Sequence, residues 1–331
     1  GERDTTDPLT GMEDTAPVPK DAGDEDTSSS KSSRWIYLVA AVPVIAIVML
    51  TILPIGKDDA PTAQGEAAVA SDTDSNEPSP SSRVPLDEAL RALGLPPAPN
   101  SCAALPAEYE QLARAAALLQ GGTLGRAIDG HVRESDRNAA RLLAGSKIAS
   151  AEGVVLLARA RLLTGDFPGA LQAAERAAAS CPGLASAHGL VGSARVALKQ
   201  FDEAAPNLQK ALELASDYRD ARFDLAVVRM TQDQARAAIE LLEVLQKEAP
   251  DYPEIDLALG HALFMSKDDE RAVAAYRKAT VSSSQPGKVY LVLGFALARQ
   301  GKANEANASF CKAAELGEKR AAEMCKAPSP R

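Results

Sequence analysis

Residues 151–184 read AEGVVLLARARLLTGDFPGALQAAERAAASCPGL, and the residues that follow repeat the same pattern. Five units of this length run in one phase, with no insertion or deletion between them: 151–184, 185–218, 219–252, 253–286 and 287–320. A fixed period of this length is typical of stacked helical hairpins. Unrelated Ala-rich amphipathic helices would not keep five units in one register. We therefore predict an all-α solenoid.

Small residues recur at fixed positions of the units, and the eighth position shows this most clearly: it is Ala158, Gly192, Ala226, Gly260 and Gly294. Small side chains at such points let the two helices of a hairpin approach closely. This pattern resembles the tetratricopeptide repeat family, over roughly half of the chain. The resemblance implies a right-handed superhelix of hairpins whose first helices line a concave groove that binds other proteins.

The resemblance also implies which side chains face that groove. They are Val155, Arg159, Phe223, Val227, Met230, Leu257, His261, Phe264, Met265, Leu291, Phe295 and Arg299. One branch of the family grips chaperone carboxylate tails with Lys, Arg and Asn, a set that this sequence lacks. We expect an exposed apolar strip that binds an amphipathic helix or an apolar peptide of a partner, with Arg159 and Arg299 at the rim. Alternatively, some of these side chains belong to the core, or the chain's own helix at 86–93 covers them.

Residues 35–55 form an uncharged apolar run with Trp35 and Tyr37 at one end. As a helix this run is roughly 30 Å long, which matches the hydrocarbon core of a bilayer. A cleaved signal peptide is the alternative, but its apolar region would be shorter and nearer the amino terminus. We predict a single transmembrane helix in a bacterial inner membrane. Basic residues are more frequent before the run than after it, which favours a cytoplasmic amino terminus and periplasmic repeats.

Composition divides the rest of the chain. Residues 1–34 are acidic and rich in Ser, Thr and Pro, so we predict a disordered cytoplasmic tail. Residues 56–101 are rich in Pro, Ala and Ser, which predicts a flexible linker with one short helix in it. Between 102 and 150 the helical signal continues without the period, as in a degenerate helical cap. A capping helix at 318–327 is expected to close the other end.

Other classes of function receive little support. The net charge of −9 and an aromatic content of 4% argue against nucleic acid as a partner. The sequence contains neither a phosphate-binding Gly-rich loop nor a nucleophile elbow. His131, His188 and His261 lack the spacing of metal ligands. We therefore expect no enzyme activity, no cofactor and no metal.

Whether the four cysteines form disulfides depends on the cellular compartment of the repeats. Cys311 and Cys325 lie on either side of the turn at Gly317. In an oxidising compartment an antiparallel hairpin would bring them together as a disulfide. Cys102 and Cys181 offer a second pair, but nothing in the sequence fixes their separation. The alternative is that each cysteine packs as a small apolar residue.

These features favour a membrane-anchored scaffold or adaptor that organises a multiprotein complex of the cell envelope, with self-association as a further possibility. The alternative is the extracytoplasmic sensory half of a larger receptor, such as a transmembrane Ser/Thr kinase. The missing initiator Met at Gly1 motivates that alternative, because a cytoplasmic domain could precede it.

Overall fold

The computed structural model describes residues 84–128 and 130–325, and the regular structure in these residues is helical. The first helices in chain order are α1 (Val84–Ala92), α2 (Tyr109–Leu119), α3 (Leu124–Ile128) and α4 (Glu134–Ala144). Two short 3₁₀ turns, Asn100–Cys102 and Pro106–Glu108, lie between α1 and α2.

The next ten helices fall two to a repeat unit. They are α5 (Ala151–Leu163), α6 (Phe167–Ser180), α7 (Ala185–Ala197), α8 (Phe201–Leu214), α9 (Arg219–Thr231), α10 (Ala235–Glu248), α11 (Ile255–Met265), α12 (Asp269–Ser282), α13 (Pro286–Arg299) and α14 (Ala303–Glu315). A short helix, α15 (Lys319–Ala322), follows the last unit. Each helix packs on the next one in the chain. The first helices α5, α7, α9 and α11 also contact one another from unit to unit, so they form a continuous face of the array.

A left-handed residue ends the first helix of every unit. It is Gly165, Lys199, Asp233, Lys267 or Gly301, with φ between 58° and 82°. The next amide then donates to a carbonyl five residues back, as from Asp166 N to Arg161 O at 2.9 Å and from Gln200 N to Arg195 O at 2.8 Å. This is the bond of a Schellman motif, which satisfies the last carbonyls of a helix. The same turn therefore joins the two helices of each hairpin, although only two of the five residues are Gly.

Close packing within the hairpins depends on the small residues of the eighth position. A Cβ added at Gly192 would lie 2.4 Å from Leu208 Cγ, and one added at Gly260 would lie 2.5 Å from the Tyr276 ring. Ala158 and Ala226 occupy the same position in the other units and are buried. In these hairpins a side chain of the second helix, such as Leu208 or Tyr276, fills the space that a larger residue at the eighth position of the first helix would need.

The amino-terminal part of the folded body corrects the predicted linker at 56–101. From residue 84 onward the chain is packed, because Leu86, Leu90 and Leu93 place an apolar stripe of α1 against the core. Helix α1 contacts α2, and a disulfide joins Cys102 to Cys181 at the end of α6. The linker prediction is therefore wrong for 84–101, and its part at 56–83 lies outside the described residues.

The carboxyl-terminal cap is shorter than the helix expected at 318–327. Helix α15 is a single turn, Lys319–Ala322, whose Ala321 is buried against the array. Cys325 follows it and forms a disulfide with Cys311 of α14. One apolar side chain and one disulfide thus hold this end of the chain in place.

The predicted tail at 1–34 and the predicted transmembrane helix at 35–55 lie outside the described residues. In the part of the chain that the structure covers, no helix has the length and apolar character needed to cross a bilayer.

The Gly260→Ala variant tests the close approach of α11 and α12. The added Cβ would overlap the Tyr276 ring, so we expect the free energy of unfolding to fall by about 1–3 kcal/mol. Gly125→Ala in α3 is the control, because a Cβ there meets no atom within 4 Å. Chemical denaturation measures both. Equal stabilities for the two variants would contradict this packing.

Removal of each disulfide tests whether the two ends of the body are tethered separately. In the double variant Cys102→Ser and Cys181→Ser, we expect amide exchange in α1 to accelerate by about tenfold or more, since the tether to α6 is lost. The double variant Cys311→Ser and Cys325→Ser should instead accelerate exchange in α15. Hydrogen–deuterium exchange with mass spectrometry reads both regions. The same exchange pattern in both variants would show that the tethers do not act locally.

Candidate functional site

A cavity of about 290 Å³ opens on the face formed by the first helices of the repeats. One wall comes from α5, α7, α9 and α11, and the opposite wall comes from the amino-terminal segments that precede the repeats. We call this space the inner cavity. Its lining residues come from all five repeat units, with Lys288 from the last, and from the cap, so no single hairpin contains it.

Apolar side chains make up most of both walls. The repeat wall contributes Leu162, Leu190, Val196, Val227 and Leu257, while the amino-terminal wall contributes Leu93, Leu124 and Ile128. Phe223 completes the repeat wall, with its ring centroid 5.3 Å from that of Tyr252. Apolar walls with a few polar groups are typical of binding sites.

Glycine and arginine residues fix the amino-terminal wall in place. A Cβ at Gly122 would lie 2.6 Å from Leu163 Cδ1, so only Gly lets this loop reach α5. Arg133 donates from Nη1 to Gln120 O at 2.5 Å and from Nη2 to Leu119 O at 3.2 Å, and thereby caps the carboxyl end of α2. Helix α3 follows the loop and lies against α5 and α7.

A polar cluster from three successive units occupies one side of the inner cavity. Arg159 Nη1 donates to Asp220 Oδ2 at 2.8 Å, and Tyr252 Oη donates to Asp220 Oδ1 at 2.8 Å. The hydroxyl of Ser193 donates to the carboxyl of Asp224. All five side chains line the cavity. The cluster therefore links α5, α7 and α9 through hydrogen bonds as well as through apolar contact.

Burial changes the acid–base properties of this cluster. Desolvation raises the pKa of Asp224 to about 7, although the hydrogen bond from Ser193 opposes the shift. Desolvation likewise raises the pKa of Tyr252, and the nearby Asp220 adds to that rise. Asp224 thus exchanges between its neutral and charged forms near neutral pH, and its neutral form can donate a hydrogen bond.

Arg159 is the most unusual member of the cluster. Only 9% of this residue is exposed, yet its Nε has no hydrogen-bond partner among the described residues. The ion pair with Asp220 keeps the guanidinium charged, and this neighbour holds the pKa of Arg159 above its ordinary value despite burial. A buried donor without a partner costs about 1–3 kcal/mol, so this enclosed Nε lowers the stability of the folded chain.

The arrangement is that of a binding site. Clusters of His, Cys, Asp and Glu able to hold a metal ion are absent from the part of the chain that the structure describes. The two walls can exclude water from an apolar ligand, and the polar cluster can fix its orientation.

Four of the predicted groove residues line the inner cavity: Arg159, Phe223, Val227 and Leu257. The other eight do not line it: Val155, Met230, His261, Phe264, Met265, Leu291, Phe295 and Arg299. Met265 and Arg299 are half-buried, and the remaining six are buried. The expected exposed strip through the later repeats is therefore wrong.

Contacts between neighbouring helices explain that correction. His261 Nδ1 lies 2.8 Å from Tyr276 Oη, and the Phe295 and Phe310 rings meet edge to face at 5.3 Å. The guanidinium of Arg299 stacks 3.5 Å from the Phe264 ring centroid and pairs with Asp269. The first two contacts pack the two helices of one hairpin together, and the contacts of Arg299 pack one hairpin on the next.

The sequence interpretation missed Asp220, Asp224, Tyr252 and the wall at 121–128. One signal was available, because Asp220, Asp224 and Val227 are spaced by four and three residues and so share a helix face. Two carboxylates on the apolar face of α9 indicate a polar site inside the array. The wall gave no such signal, since its position depends on contacts far apart in the sequence.

Part of the repeat array matches a known protein family. Residues 195–262 match the family model of the tetratricopeptide repeat. Residues 195–262 thus carry the repeat, which confirms the resemblance seen in the sequence, and arrays of such repeats are protein-interaction folds. Among curated proteins, none matches the chain.

Several solved structures are similar to the chain. MamA of Desulfovibrio magneticus RS-1 is 23% identical with a TM-score of 0.46, over 50% of this chain and 94% of that chain. YrrB, described as a TPR protein with an unusual peptide-binding site, is 17% identical with a TM-score of 0.46, over 58% of this chain and 97% of that one. A thermophilic TPR protein of Thermus thermophilus is 18% identical with a TM-score of 0.44, over 53% of this chain and 98% of that one.

The Asp224→Asn variant tests the protonation of the polar cluster. Folding raises the pKa of Asp224 from 3.8 to about 7. The folded chain therefore holds a proton that the unfolded chain releases, and this carboxyl weakens folding as the pH rises from about 4 to about 7. We expect the melting temperature of Asp224→Asn, relative to the unsubstituted chain, to increase across that range.

Asp251→Asn is the matched control, because Asp251 is exposed. Comparison with the unsubstituted chain at each pH cancels the opposite contribution of His261, whose pKa burial lowers to about 3. A difference for Asp224→Asn that stays constant from about pH 4 to about pH 8 would contradict the raised pKa.

Proposed function

We propose that this protein is a membrane-anchored tetratricopeptide-repeat adaptor whose inner cavity binds a short, extended apolar segment of a partner protein. The observation that carries the proposal is the inner cavity itself, whose two walls are mostly apolar and whose repeat wall also holds a buried polar cluster. Leu162, Val227 and Leu257 on one wall and Leu124 on the other provide apolar surface that a partner side chain would remove from water.

The lining of the cavity favours an extended segment over a helix. An α-helix is about 10–12 Å across and presents a single apolar stripe to one surface. Apolar residues of the inner cavity come from two walls. An extended segment is thinner, and its alternate side chains point to opposite sides, where the two walls lie. Of the two partner types expected from the sequence, the apolar peptide therefore fits better.

The proposed location is the periplasmic side of a bacterial inner membrane. The predicted transmembrane helix at 35–55 would anchor the chain, and the repeats would organise a multiprotein complex of the envelope. Two disulfides, Cys102–Cys181 and Cys311–Cys325, support this placement, because disulfides persist in oxidising compartments.

A second candidate function is the sensing of a small molecule by the extracytoplasmic part of a receptor. The volume of the inner cavity favours this candidate, since about 290 Å³ lies near the lower end of the range for small-molecule pockets, about 300–1,000 Å³. The two functions differ in what occupies the cavity. In the first the occupant is part of another protein, and in the second it is a diffusible ligand.

Affinity capture of the full membrane-anchored chain from native membranes tests the adaptor function. Phe223→Arg and Leu124→Arg each place a charge on one wall of the inner cavity, where both side chains are only half-buried. We expect partner recovery to fall by about tenfold or more in both variants, because a buried unpaired charge is costly.

Val281→Arg is the matched control, since Val281 is 90% exposed and does not line the cavity. It should recover the same partners as the unsubstituted chain, and circular dichroism should show all three variants folded. Recovery of the same partners by the two cavity variants would exclude the adaptor function at this site.

A further inference from the structure

We infer that Arg159 anchors the partner segment through a backbone carbonyl, and that the residues of this segment inside the inner cavity are uncharged. The inference rests on the proposed function and specifies the chemistry of its ligand. It differs from a site for a carboxylate tail, which would require a surplus of positive charge.

Arg159 supplies the donor. Its only hydrogen bond within the described residues runs from Nη1 to Asp220, at 2.8 Å. Neither Nε nor Nη2, on the opposite edge of the guanidinium, has an acceptor among those residues. Nε is enclosed, so Nη2 is the donor that a ligand can reach. Arginine presents its donors in a planar fork, and because Arg159 lines the inner cavity, a ligand oxygen there can accept from Nη2.

The charges around the cavity indicate that this acceptor is neutral. Arg159 is already balanced by Asp220 at 2.8 Å. The other ionisable groups of the lining are Asp224, Glu254 and Lys288, besides Tyr252. Glu254 accepts hydrogen bonds from Ser283 and Ser284, so it is engaged outside the polar cluster. Acidic groups therefore outnumber basic ones, and a ligand carboxylate would enter a site with no surplus positive charge.

A positively charged ligand is disfavoured for a related reason. Burial keeps Asp224 partly protonated near neutral pH by raising its pKa, and the hydroxyl of Ser193 already donates to it. Asp220 accepts from both Arg159 and Tyr252. The carboxylates that a cation would need thus already have donors, whereas the donor edge of Arg159 has no acceptor. A backbone carbonyl satisfies this edge without adding charge.

The geometry of the walls fits the same ligand. In an extended segment the carbonyls point sideways and the side chains alternate above and below. A segment whose carbonyl binds Arg159 can place its side chains against the apolar lining, which includes Val227 and Leu257 of the repeats and Leu93 and Leu124 of the amino-terminal wall. We therefore expect apolar residues on both sides of the bound carbonyl.

An array of acetylated, amide-capped hexapeptides tests the inference on the full chain. Their two central residues are drawn from Leu, Ile, Val and Phe, between Gly and Ser, and matched peptides carry Glu or Lys at one central position. We expect neutral peptides to bind, and both charged series to bind at least about tenfold more weakly. For the tightest neutral peptide, a copy with an alkene in place of the central amide lacks the carbonyl and should lose about tenfold in affinity.

Arg159→Lys is the informative variant. Lysine keeps the charge and the pairing with Asp220 but lacks the planar fork of donors. We expect it to bind the neutral peptide about tenfold more weakly and to be insensitive to the alkene replacement. Arg195→Lys is the matched control, because Arg195 lies in α7 outside the cavity lining and pairs with Glu175 at 3.0 Å. It should bind like the unsubstituted chain.

The outcomes separate this inference from the function on which it rests. If Phe223→Arg abolishes peptide binding while Arg159→Lys binds normally, the cavity is the site but Arg159 is not its anchor. Tighter binding of the Glu series would show a carboxylate site and overturn the neutral-ligand inference. If no peptide binds the unsubstituted chain, or if Phe223→Arg has no effect on binding, the proposed function itself is wrong.

Discussion

Contact between the first helices of successive hairpins is the constraint on which the rest of this structure depends. Helices α5, α7, α9 and α11 lie side by side. The turn between the two helices of each hairpin has one residue in the left-handed backbone conformation at the same position. Within each hairpin, close approach also requires small residues where the helices cross, such as Gly192 and Gly260. Most large side chains of the first helices are then used for packing, and little of their apolar surface stays open. The inner cavity is the part of this face that the packing leaves unfilled.

The polar cluster in that cavity is unusual for an array held together by apolar contact. Arg159, Asp220, Asp224 and Ser193 come from three helices and are joined by hydrogen bonds and one ion pair. Buried polar groups of this kind seldom add much stability compared with apolar residues of similar size. The Nε of Arg159 has no partner in the described part of the chain, which lowers the stability further. The proposed role in binding accounts for a cluster in which Arg159 keeps donors without a partner.

The repeat pattern carries most of the information about the fold. Its period predicted two helices in each unit, and the small residues of the eighth position marked the crossings within each hairpin. Local rules of this kind depend on residues close in sequence, so one chain suffices to recognise them. The packing of residues 84–101 was foreseen only as an alternative, in which the helix at 86–93 docks on the repeats, because the composition of that segment is typical of a linker. Its folding depends on a stripe of three leucines and on the Cys102–Cys181 disulfide, which spans a separation of 79 residues.

The candidate site was predicted only in part, for the same reason. The family register assigns Arg159, Phe223, Val227 and Leu257 to the inner face, and these residues do line the cavity. It assigns Phe264 and Phe295 to that face too, although stacking on Arg299 and on Phe310 buries them. The register gives the direction of a side chain but not its neighbours. The second wall of the cavity belongs to the non-repetitive cap, which no repeat pattern describes.

Site-specific photo-cross-linking tests the central claim most directly, namely that a partner protein occupies the inner cavity. A photoreactive phenylalanine analogue replaces Phe223 in the cavity or, separately, the exposed Val281 outside it. Illumination in native membranes should then join the chain covalently to a partner from position 223 and not from position 281, with the cross-link on an uncharged apolar segment of that partner. Cross-links from position 281 alone, or none from either position, would contradict the account.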